Sequence, residues 1–226
     1  MISSQIIVPD IFKGLPVKAF FTKKGFHGSA SDIIAELDAE SLYLPIQKHT
    51  DKVIVAEQNL QQQVADAVVT NRRGLAIGIR VADCVPIILF DKRRHVAAVV
   101  HAGWRGTAAG ILRKTIEVFR ERFHCSPENI AAAIGPSIKG GCYAVGHEVV
   151  DAVTRATGRG DYVTARGEAW FVDLPEANRV QAVSEGILPG KIWVSEDCTH
   201  CLPEKYYSYR FAKGTTGRQH GYVAII

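Results

Sequence analysis

Two apolar runs separated by four polar residues form the most informative stretch of this sequence. Residues 85–90 and 95–100 flank the charged segment 91–94, a pattern that predicts two antiparallel strands joined in a β-hairpin. If Phe90 pairs with His95, then Cys84 lies opposite His101, and opposed residues are separated by about 4.5–5.5 Å. The pattern therefore predicts that a thiol and an imidazole meet at the open end of this hairpin.

The residues that follow the hairpin change to a helical period. Leu112, Ile116, Phe119 and Phe123 recur at helical spacing, which predicts one helix from near Thr107 to Phe123. The segment before it, 103–106, contains two glycines and Arg105. Free N–H groups at the start of such a helix, with an arginine beside them, favour the binding of an anion such as phosphate.

Apolar patterns along the rest of the chain predict further strands and helices. Asp173, Pro175 and Glu176 form an N-cap, an early-turn proline and a capping-box glutamate for a helix that ends near Gly186. Strands outnumber helices and several follow one another directly, which favours an α/β fold of the α+β type, with helices packed on mixed β-sheets. The predicted strands cover 17–21, 53–56, 67–69, 75–81, 130–134, 191–194 and 222–226, and the remaining helices cover 32–37 and 147–156.

Length and composition limit the classes of protein that this chain can represent. Its 226 residues, 47% of them hydrophobic, can bury a large core, so we expect a single domain over residues 1–226. No segment reaches the ~20 apolar residues of a membrane span, and the start lacks a secretory pattern. We therefore expect a cytoplasmic protein without a membrane partner.

Charge and cysteine content refine this expectation. The formal net charge is +4, but the basic residues are dispersed and no nucleic-acid-binding module is recognisable, so we expect no nucleic-acid partner. Five cysteines in a chain without a secretory signal favour free thiols over disulfides. The thiols are therefore available for chemistry.

Cys84 and His101 allow two functional interpretations: a metal site, or a metal-free nucleophile with its base. A catalytic zinc site takes three protein ligands and leaves a fourth position open. His49 is the best third ligand on sequence, because it lies in a polar turn after an extended segment, whereas His95 begins a predicted strand and His124 ends a predicted helix. Spacing alone leaves this choice open.

The tail contains a C-x-x-C motif formed by Cys198 and Cys201. A structural zinc site of this type usually has a second C-x-x-C pair, and neither Cys125 nor Cys142 is part of such a pair. We therefore expect the tail cysteines to lie outside any metal site. The chain also lacks the G-x-S-x-G, P-loop and nucleobase-deaminase signatures.

Ordered motif blocks run along nearly the whole chain. They are AFFTKKGFHGS, QKHTDKV, ADAVVT, ADCVPI, HAGWRGT, AAIGPSI, CYAVG, DLPEANRVQA, the CT of DCTHC, YYSYR and TGRQHGYVAII. In these blocks the chain resembles the bacterial YfiH family, formerly described as multicopper polyphenol oxidoreductases (laccase-like) and related to mammalian FAMIN. So many blocks in one order make the resemblance specific.

The resemblance implies a zinc site formed by His49, Cys84 and His101. It also implies phosphorolysis of purine nucleosides (adenosine, inosine, guanosine and methylthioadenosine), deamination of adenosine, and a fold similar to the catalytic domain of deamidating cytotoxic necrotizing factor toxins. Within that activity, Asp83 is a candidate proton carrier or orienting residue, and Arg105 and Arg210 are candidates for binding phosphate.

Two rival chemistries stay open. One is a metal-free cysteine hydrolase or amidase that uses Cys84 and His101, with peptidoglycan-precursor editing as its setting. The other is a copper-dependent polyphenol oxidase, although a blue-copper centre usually adds an axial methionine and Met1 is the only methionine. Ser137, Gly141 and Phe211 depart from the family pattern, so we expect no metal or thiol role for the loop 137–142.

Overall fold

The computed structural model describes residues 2–57 and 60–226, and the strands in this part of the chain form three β-sheets. The strands are β1 (Ile6–Ile7), β2 (Val17–Thr22), β3 (Ser41–Tyr43), β4 (Val53–Val55), β5 (Ala67–Thr70), β6 (Leu75–Val81), β7 (Val85–Asp91), β8 (Val96–Ala102), β9 (Ile130–Ile134), β10 (Ala144–Val145), β11 (Val163–Arg166), β12 (Ala169–Val172), β13 (Ile192–Val194) and β14 (Gln219–Ile225).

The helices lie between these strands. They are α1 (Ala30–Glu36), α2 (Trp104–Ala108), α3 (Ile111–Phe123), α4 (His147–Thr157), α5 (Leu174–Ser184) and α6 (Tyr209–Ala212), with short 3-10 helices at Ile2–Gln5, Asp10–Phe12, Pro127–Asn129 and Pro189–Lys191. Within the described ranges, no helix combines the length and the hydrophobicity needed to cross a membrane.

The two large sheets are mixed, as the sequence pattern predicts. The six-stranded sheet has the order β13-β9-β7-β8-β5-β4, antiparallel at its centre and parallel at its two outer pairs. The five-stranded sheet has the order β1-β2-β14-β6-β3, with β3 parallel to β6. The third sheet, β10-β12-β11, is a small antiparallel layer.

The six-stranded sheet is the central layer because both of its faces are covered. Ile87 and Leu89 of β7 pack with helices α3, α4 and α5, whereas Ile88 and Phe90 pack against the five-stranded sheet. A strand that is buried on both faces carries a continuous apolar run rather than an alternating one. This explains why residues 85–90 are apolar throughout.

The hairpin exists, but its predicted register is wrong. Phe90 pairs with Ala97 instead of His95, so the expected pairing of Cys84 with His101 is offset by two residues. An offset of two preserves which face of the strand each side chain occupies, whereas an offset of one reverses it. The two side chains therefore still converge at the open end of the hairpin.

The turn of the hairpin explains the offset. The carboxylate of Asp91 accepts hydrogen bonds from the backbone N–H groups of Arg93, at 2.7 Å, and Arg94, at 2.9 Å. His95 takes a positive φ of 53° and belongs to the turn, not to the following strand. Asp91 thus closes the turn one residue later than the apolar pattern suggests.

The predicted single helix 107–123 is also wrong, because the chain forms two helices there. Gly110 has a φ of 72°, and this left-handed conformation separates α2 from α3. At the start of α5, Asp173 is the predicted N-cap and accepts from the N–H of Glu176 at 2.9 Å. The Glu176 side chain binds Arg179 rather than completing the predicted capping box.

Candidate metal and substrate site

Three side chains from separate elements converge beside the hairpin. His49 lies in the loop between β3 and β4, Cys84 directly precedes β7, and His101 lies in β8. One ligand atom from each residue lies within 4.8 Å of the others, and Sγ of Cys84 is 4.0 Å from Nε2 of His49. A thiol and two imidazoles form a donor set that suits a metal ion such as zinc.

Asp66 orients His101 within this group. Oδ1 of Asp66 lies 2.7 Å from Nδ1 of His101, and both side chains are buried. A carboxylate on Nδ1 fixes the proton there, which leaves Nε2 free to bind a metal. This is the usual support for a metal-bound histidine.

The same carboxylate also holds the loop that carries His49. It accepts hydrogen bonds from the backbone N–H groups of Lys48, His49 and Thr50, at 3.2, 3.1 and 2.7 Å. His49 has a positive φ of 57°, a conformation that a non-glycine residue adopts only where its surroundings enforce it. Asp66 therefore positions two of the three candidate ligands.

Sequence reasoning overlooked Asp66 although a signal was present. The residue lies between Ala65 and Ala67 at the start of a buried strand and is itself 0% exposed. A buried carboxylate needs partners, so an aspartate inside an apolar segment indicates a functional or structural network.

The charges of Cys84 and His101 depend on each other. Burial alone would raise the pKa of Cys84, but the neighbouring charge of His101 and hydrogen bonds from both histidines lower that pKa to about 6. Burial alone would lower the pKa of His101, but Cys84 and Asp66 raise it to about 9. The pair therefore favours a thiolate next to an imidazolium when no metal is bound.

Gly103 leaves room for this cluster. A Cβ atom added at this position would lie 3.0 Å from Sγ of Cys84 and 3.3 Å from Cδ2 of His49. A side chain here would push Cys84 or His49 away by a few tenths of an ångström. The glycine noted in the sequence thus shapes the candidate metal site and not only the turn.

Asp83 joins the hairpin to the tail of the chain. Its Oδ1 accepts from Oγ1 of Thr199 at 2.6 Å, and its Oδ2 accepts from the backbone N–H of Arg210 at 2.7 Å. Asp83 is buried and has a φ of 79°. These contacts suit an orienting role, because both carboxylate oxygens are already engaged.

A cavity of about 810 Å³ opens onto the cluster. The candidate ligands form one part of its wall, and four arginines and two tyrosines form much of the rest. The lining residues are Gln47, His49, Arg80, Val81, Ala82, Asp83, Cys84, His101, Arg105, Tyr143, Tyr209, Arg210 and Arg218. All of the site residues proposed from the sequence therefore face one cavity.

The cavity also contains residues that sequence reasoning missed, above all Arg80, Arg218 and Tyr143. Arg80 lies in β6, four residues before Cys84, whereas Arg218 directly precedes β14, and the pairing of Val81 with Gln219 brings the two arginines to the same edge. Together with Arg105 and Arg210 they give the cavity a strongly positive wall, which suits an anionic ligand.

The helix near Thr107 begins earlier than predicted, at Trp104, so the N–H of Thr107 is not one of the free groups expected at a helix start, whereas Arg105 does line the cavity. Thr107 is buried inside α2, and its N–H donates to the carbonyl oxygen of Gly103 at 2.8 Å. Its hydroxyl accepts from Nδ2 of Asn178 at 3.0 Å. Thr107 therefore offers neither its N–H nor its hydroxyl to a ligand, and the four arginine side chains are the positively charged groups that line the cavity.

The tail cysteines do not stand alone, contrary to the expectation from spacing. Sγ of Cys142 lies 3.1 Å from Sγ of Cys201. Cys142, His200 and Cys201 form a second group whose potential ligand atoms lie within 4.8 Å of one another. This group shares no residue with the first one, and it includes Cys142 from the loop 137–142, for which the sequence predicted no metal or thiol role.

Comparison with known proteins places the fold and the site in a family context. Residues 29–226 match the family model described as multi-copper polyphenol oxidoreductase laccase. The crystal structure of the hypothetical protein YfiH from Bacillus licheniformis superposes with a TM-score of 0.86 at 26% identity, covering 98% of this chain and 97% of that one.

Two curated relatives have named activities. Adenosine deaminase RL5, from an unknown prokaryotic organism, is 35% identical over 195 residues, which cover 80% of this chain and 74% of the relative. Purine nucleoside phosphorylase from Aquifex aeolicus (strain VF5) is 41% identical over 167 residues, which cover 73% of this chain and 74% of the relative.

Proposed function

This chain belongs to the multi-copper polyphenol oxidoreductase laccase family, and we propose that it is a zinc-dependent purine nucleoside phosphorylase that also deaminates adenosine. The observation that carries the proposal is the cavity that joins the His49–Cys84–His101 cluster to a wall of arginines. We further propose that residues 1–226 act as one catalytic domain in the cytoplasm, without nucleic-acid or membrane partners.

The arginines supply the phosphate subsite in this proposal. Arg105 is exposed at the start of α2, and its guanidinium carbon lies 4.4 Å from the centre of the Trp104 ring, so the tryptophan limits its motion. Arg210 is held through its backbone by Asp83 and through its side chain by the carbonyl oxygen of Ala144, at 2.9 Å. Such fixed guanidinium groups suit a phosphate dianion.

The nucleoside occupies the rest of the cavity. Its volume of about 810 Å³ is sufficient for a purine nucleoside together with phosphate. Tyr209 is 56% exposed and offers an aromatic face on which the purine can stack. The Tyr143 ring is covered by Arg210, whose guanidinium carbon is 5.1 Å from the ring centre. Because Arg210 occupies one face of this ring, we assign the Tyr143 hydroxyl, rather than its face, to the substrate.

Phosphorolysis requires that phosphate attacks the ribose carbon while the purine leaves with a proton. Burial and the nearby Cys84 raise the pKa of Tyr143 to about 12, so its hydroxyl keeps its proton at neutral pH. Tyr143 is thus our candidate donor to the leaving purine. Asp83 is assigned to orientation, since its two oxygens already hold Thr199 and Arg210.

His49, Cys84 and His101 would hold the zinc ion, with the proton of His101 kept on Nδ1 by Asp66. A bound zinc ion supplies Lewis acidity at its open position. The chain contributes the positions of the ligands and the positive cavity wall. The absence of a side chain at Gly103 leaves room for the ligands.

Incubation of the purified protein with adenosine, inosine, guanosine or methylthioadenosine tests this function. With phosphate present, we expect free purine base and ribose 1-phosphate, or the methylthio sugar phosphate from methylthioadenosine. Adenosine without phosphate should yield inosine and ammonia. Arg93→Ala, in the exposed hairpin turn, is a matched control that should leave turnover unchanged. If neither a free base nor a deaminated product forms with any of these nucleosides, the proposal fails.

A metal-free cysteine hydrolase or amidase is the second candidate, because the lowered pKa of Cys84 and the raised pKa of His101 also suit a nucleophile and its base. Peptidoglycan-precursor editing is the setting in which we would test it. The two candidates differ in one measurement. Chelator-treated protein without metal that keeps its full catalytic activity supports the hydrolase. If chelation abolishes phosphorolysis and added zinc restores it, the phosphorylase is supported.

Copper is the alternative metal that the family description suggests. The His49–Cys84–His101 set resembles the equatorial ligands of a blue-copper centre, which usually adds an axial methionine. The only methionine, Met1, lies outside the described residues. Elemental analysis of protein purified without added metal separates the metals, because stoichiometric copper with an intense thiolate absorption band would support a polyphenol oxidase instead.

A further inference from the structure

A second cluster of soft ligands lies on the far side of the cavity wall. Cys142 ends the loop that follows β9, and His200 and Cys201 lie in the turn that follows β13. Two contacts bring these segments together: a parallel bridge between Ser137 and Cys198, and a hydrogen bond from the N–H of Thr199 to the carbonyl oxygen of Ser137, at 3.1 Å.

The donor atoms are close enough for one ion. Those of Cys142, His200 and Cys201 lie within 4.8 Å of one another, and the two sulfur atoms are 3.1 Å apart. Zinc binds sulfur at about 2.3 Å and imidazole nitrogen at about 2.0–2.1 Å, so small side-chain adjustments bring all three into contact with one ion. The sulfur atoms are free and lie farther apart than the ~2.05 Å of a disulfide bond.

Cys198 lies beside this group and is a candidate fourth donor, although its Sγ is not among the atoms that all lie within 4.8 Å of one another. It is buried, and its Sγ accepts a hydrogen bond from the N–H of Lys139 at 3.4 Å and further backbone hydrogen bonds from His200 and Cys201. A C-x2-C turn whose first sulfur accepts backbone N–H groups is the arrangement expected of a structural zinc site. Cys198 also interacts with the side chains of Cys142 and Cys201.

The surroundings match the charge of such a site. Three thiolates and one imidazole around a divalent cation carry a net charge of about −1. Lys139 lies next to Cys198, and its side chain is anchored to the carbonyl oxygen of Ser195 at 2.5 Å. This partly buried ammonium group offsets part of the negative charge, because it also interacts with the nearby carboxylates of Asp173 and Asp197.

We propose that Cys142, Cys198, His200 and Cys201 form a second, structural zinc site, separate from the cluster in the cavity. Its donor set of three thiolates and one imidazole is closed, so the ion cross-links two loops and takes no part in chemistry. The inference does not depend on the proposed function, because it concerns different residues and a different role.

The position of the site indicates what the cross-link does. Cys142 directly precedes Tyr143, which lines the cavity, and Thr199, inside the C-x-x-C turn, donates to Asp83 at 2.6 Å. Zinc at this point would hold both segments of the cavity wall. Loss of this ion should therefore widen or loosen the cavity without removing a candidate ligand of the first site.

Counting zinc in designed variants tests the inference. Protein purified with a reducing agent and desalted should contain two zinc ions per chain by elemental analysis and native mass spectrometry. Cys84→Ala, which empties the first site, should keep one, and Cys142→Ser with Cys201→Ser should also keep one. Cys125→Ala, which removes a buried thiol outside both groups, is the matched control and should keep two.

Several results would overturn the inference. One is a single zinc ion in the original protein together with no zinc in Cys84→Ala. Another is two zinc ions in the variant that carries both Cys142→Ser and Cys201→Ser. A third is zinc at Cys142, Cys198, His200 and Cys201 that is lost on desalting. A disulfide bond between Cys142 and Cys201 that persists in protein purified with a reducing agent would overturn the inference as well. If the double variant does not fold, His200→Gln and the zinc count of Cys84→Ala decide the question. Activity is not a readout here, so failure of the catalytic proposal leaves this test valid.

Discussion

Oδ1 of Asp66 lies 2.7 Å from Nδ1 of His101, and the same atom accepts the backbone N–H of His49 at 3.1 Å. One buried carboxylate oxygen therefore connects two candidate ligands that are far apart in the sequence. The Asp66 carboxylate, which also accepts the N–H groups of Lys48 and Thr50, stabilises the left-handed conformation of His49.

Asp66→Asn should weaken zinc binding at the first site by about 10–100-fold, because an amide nitrogen faces groups that require an acceptor. We also expect the free energy of unfolding to fall by ~1–3 kcal/mol, since buried donors lose their partner. Competition with a calibrated zinc chelator and urea denaturation measure the two effects. Asp151→Asn, on the exposed face of α4, is the control, and equal zinc affinity in both variants would contradict the assigned role.

Gly103→Ala should disturb the first metal site although it changes no ligand. The added Cβ would lie 3.0 Å from Sγ of Cys84, so the thiol or the backbone must shift. We expect zinc occupancy of that site and turnover to fall at least tenfold. Gly190→Ala is the matched control because nothing lies within 4 Å of its added Cβ. Unchanged occupancy in Gly103→Ala would show that the cluster tolerates a wider geometry.

Arg105→Ala should retain zinc but raise the KM for phosphate, because this exposed side chain is assigned to the anion. Loss of a charge-assisted contact is worth about 1.5–3 kcal/mol, or roughly 10–150-fold in KM. Phosphate-dependent release of purine base, measured with zinc content on the same sample, tests this. If the KM for phosphate does not change, phosphate binding must instead be assigned to Arg80, Arg210 and Arg218.

Cys84 in zinc-stripped protein should react with iodoacetamide along a pH profile centred near its lowered pKa of about 6. An unperturbed cysteine titrates near ~8.5, so the labelling rate at pH 7 separates the two cases. His101→Ala removes the neighbouring charge and should move the profile to higher pH. Mass spectrometry of the labelled peptide gives the readout, and a profile that does not move with this change would show that His101 does not stabilise the thiolate.

His220→Asn should make the protein less sensitive to acid. Burial, with a smaller effect of Arg80, lowers the pKa of His220 from 6.5 to about 4. Between these two values the unfolded chain binds a proton that the folded chain does not, so stability falls as the pH drops through this window. One such proton is worth at most ~1.4 kcal/mol per pH unit.

Urea denaturation of both proteins at pH 7.0, 5.5 and 4.5 measures this effect. The loss of unfolding free energy on acidification should be smaller in His220→Asn than in the original protein. An equal loss in the two proteins would assign the acid sensitivity to other groups.

The sequence by itself determined the local features of this protein. Apolar periodicity identified most strands and the position of the hairpin, and the polar pattern at Asp173 identified the N-cap of α5, because these depend on neighbours along the chain. The ordered motif blocks pointed to the family and to His49, Cys84 and His101, all of which face one cavity in the structure.

Only the tertiary structure decided the features that depend on contacts between distant segments. The hairpin register followed from the Asp91 turn, the role of Asp66 from its contacts with His49 and His101, and the second cysteine group from the approach of Cys142 to Cys201. Sequence spacing could not show these relationships, because the residues are brought together by the packing of two sheets and their connecting loops rather than by separation along the chain.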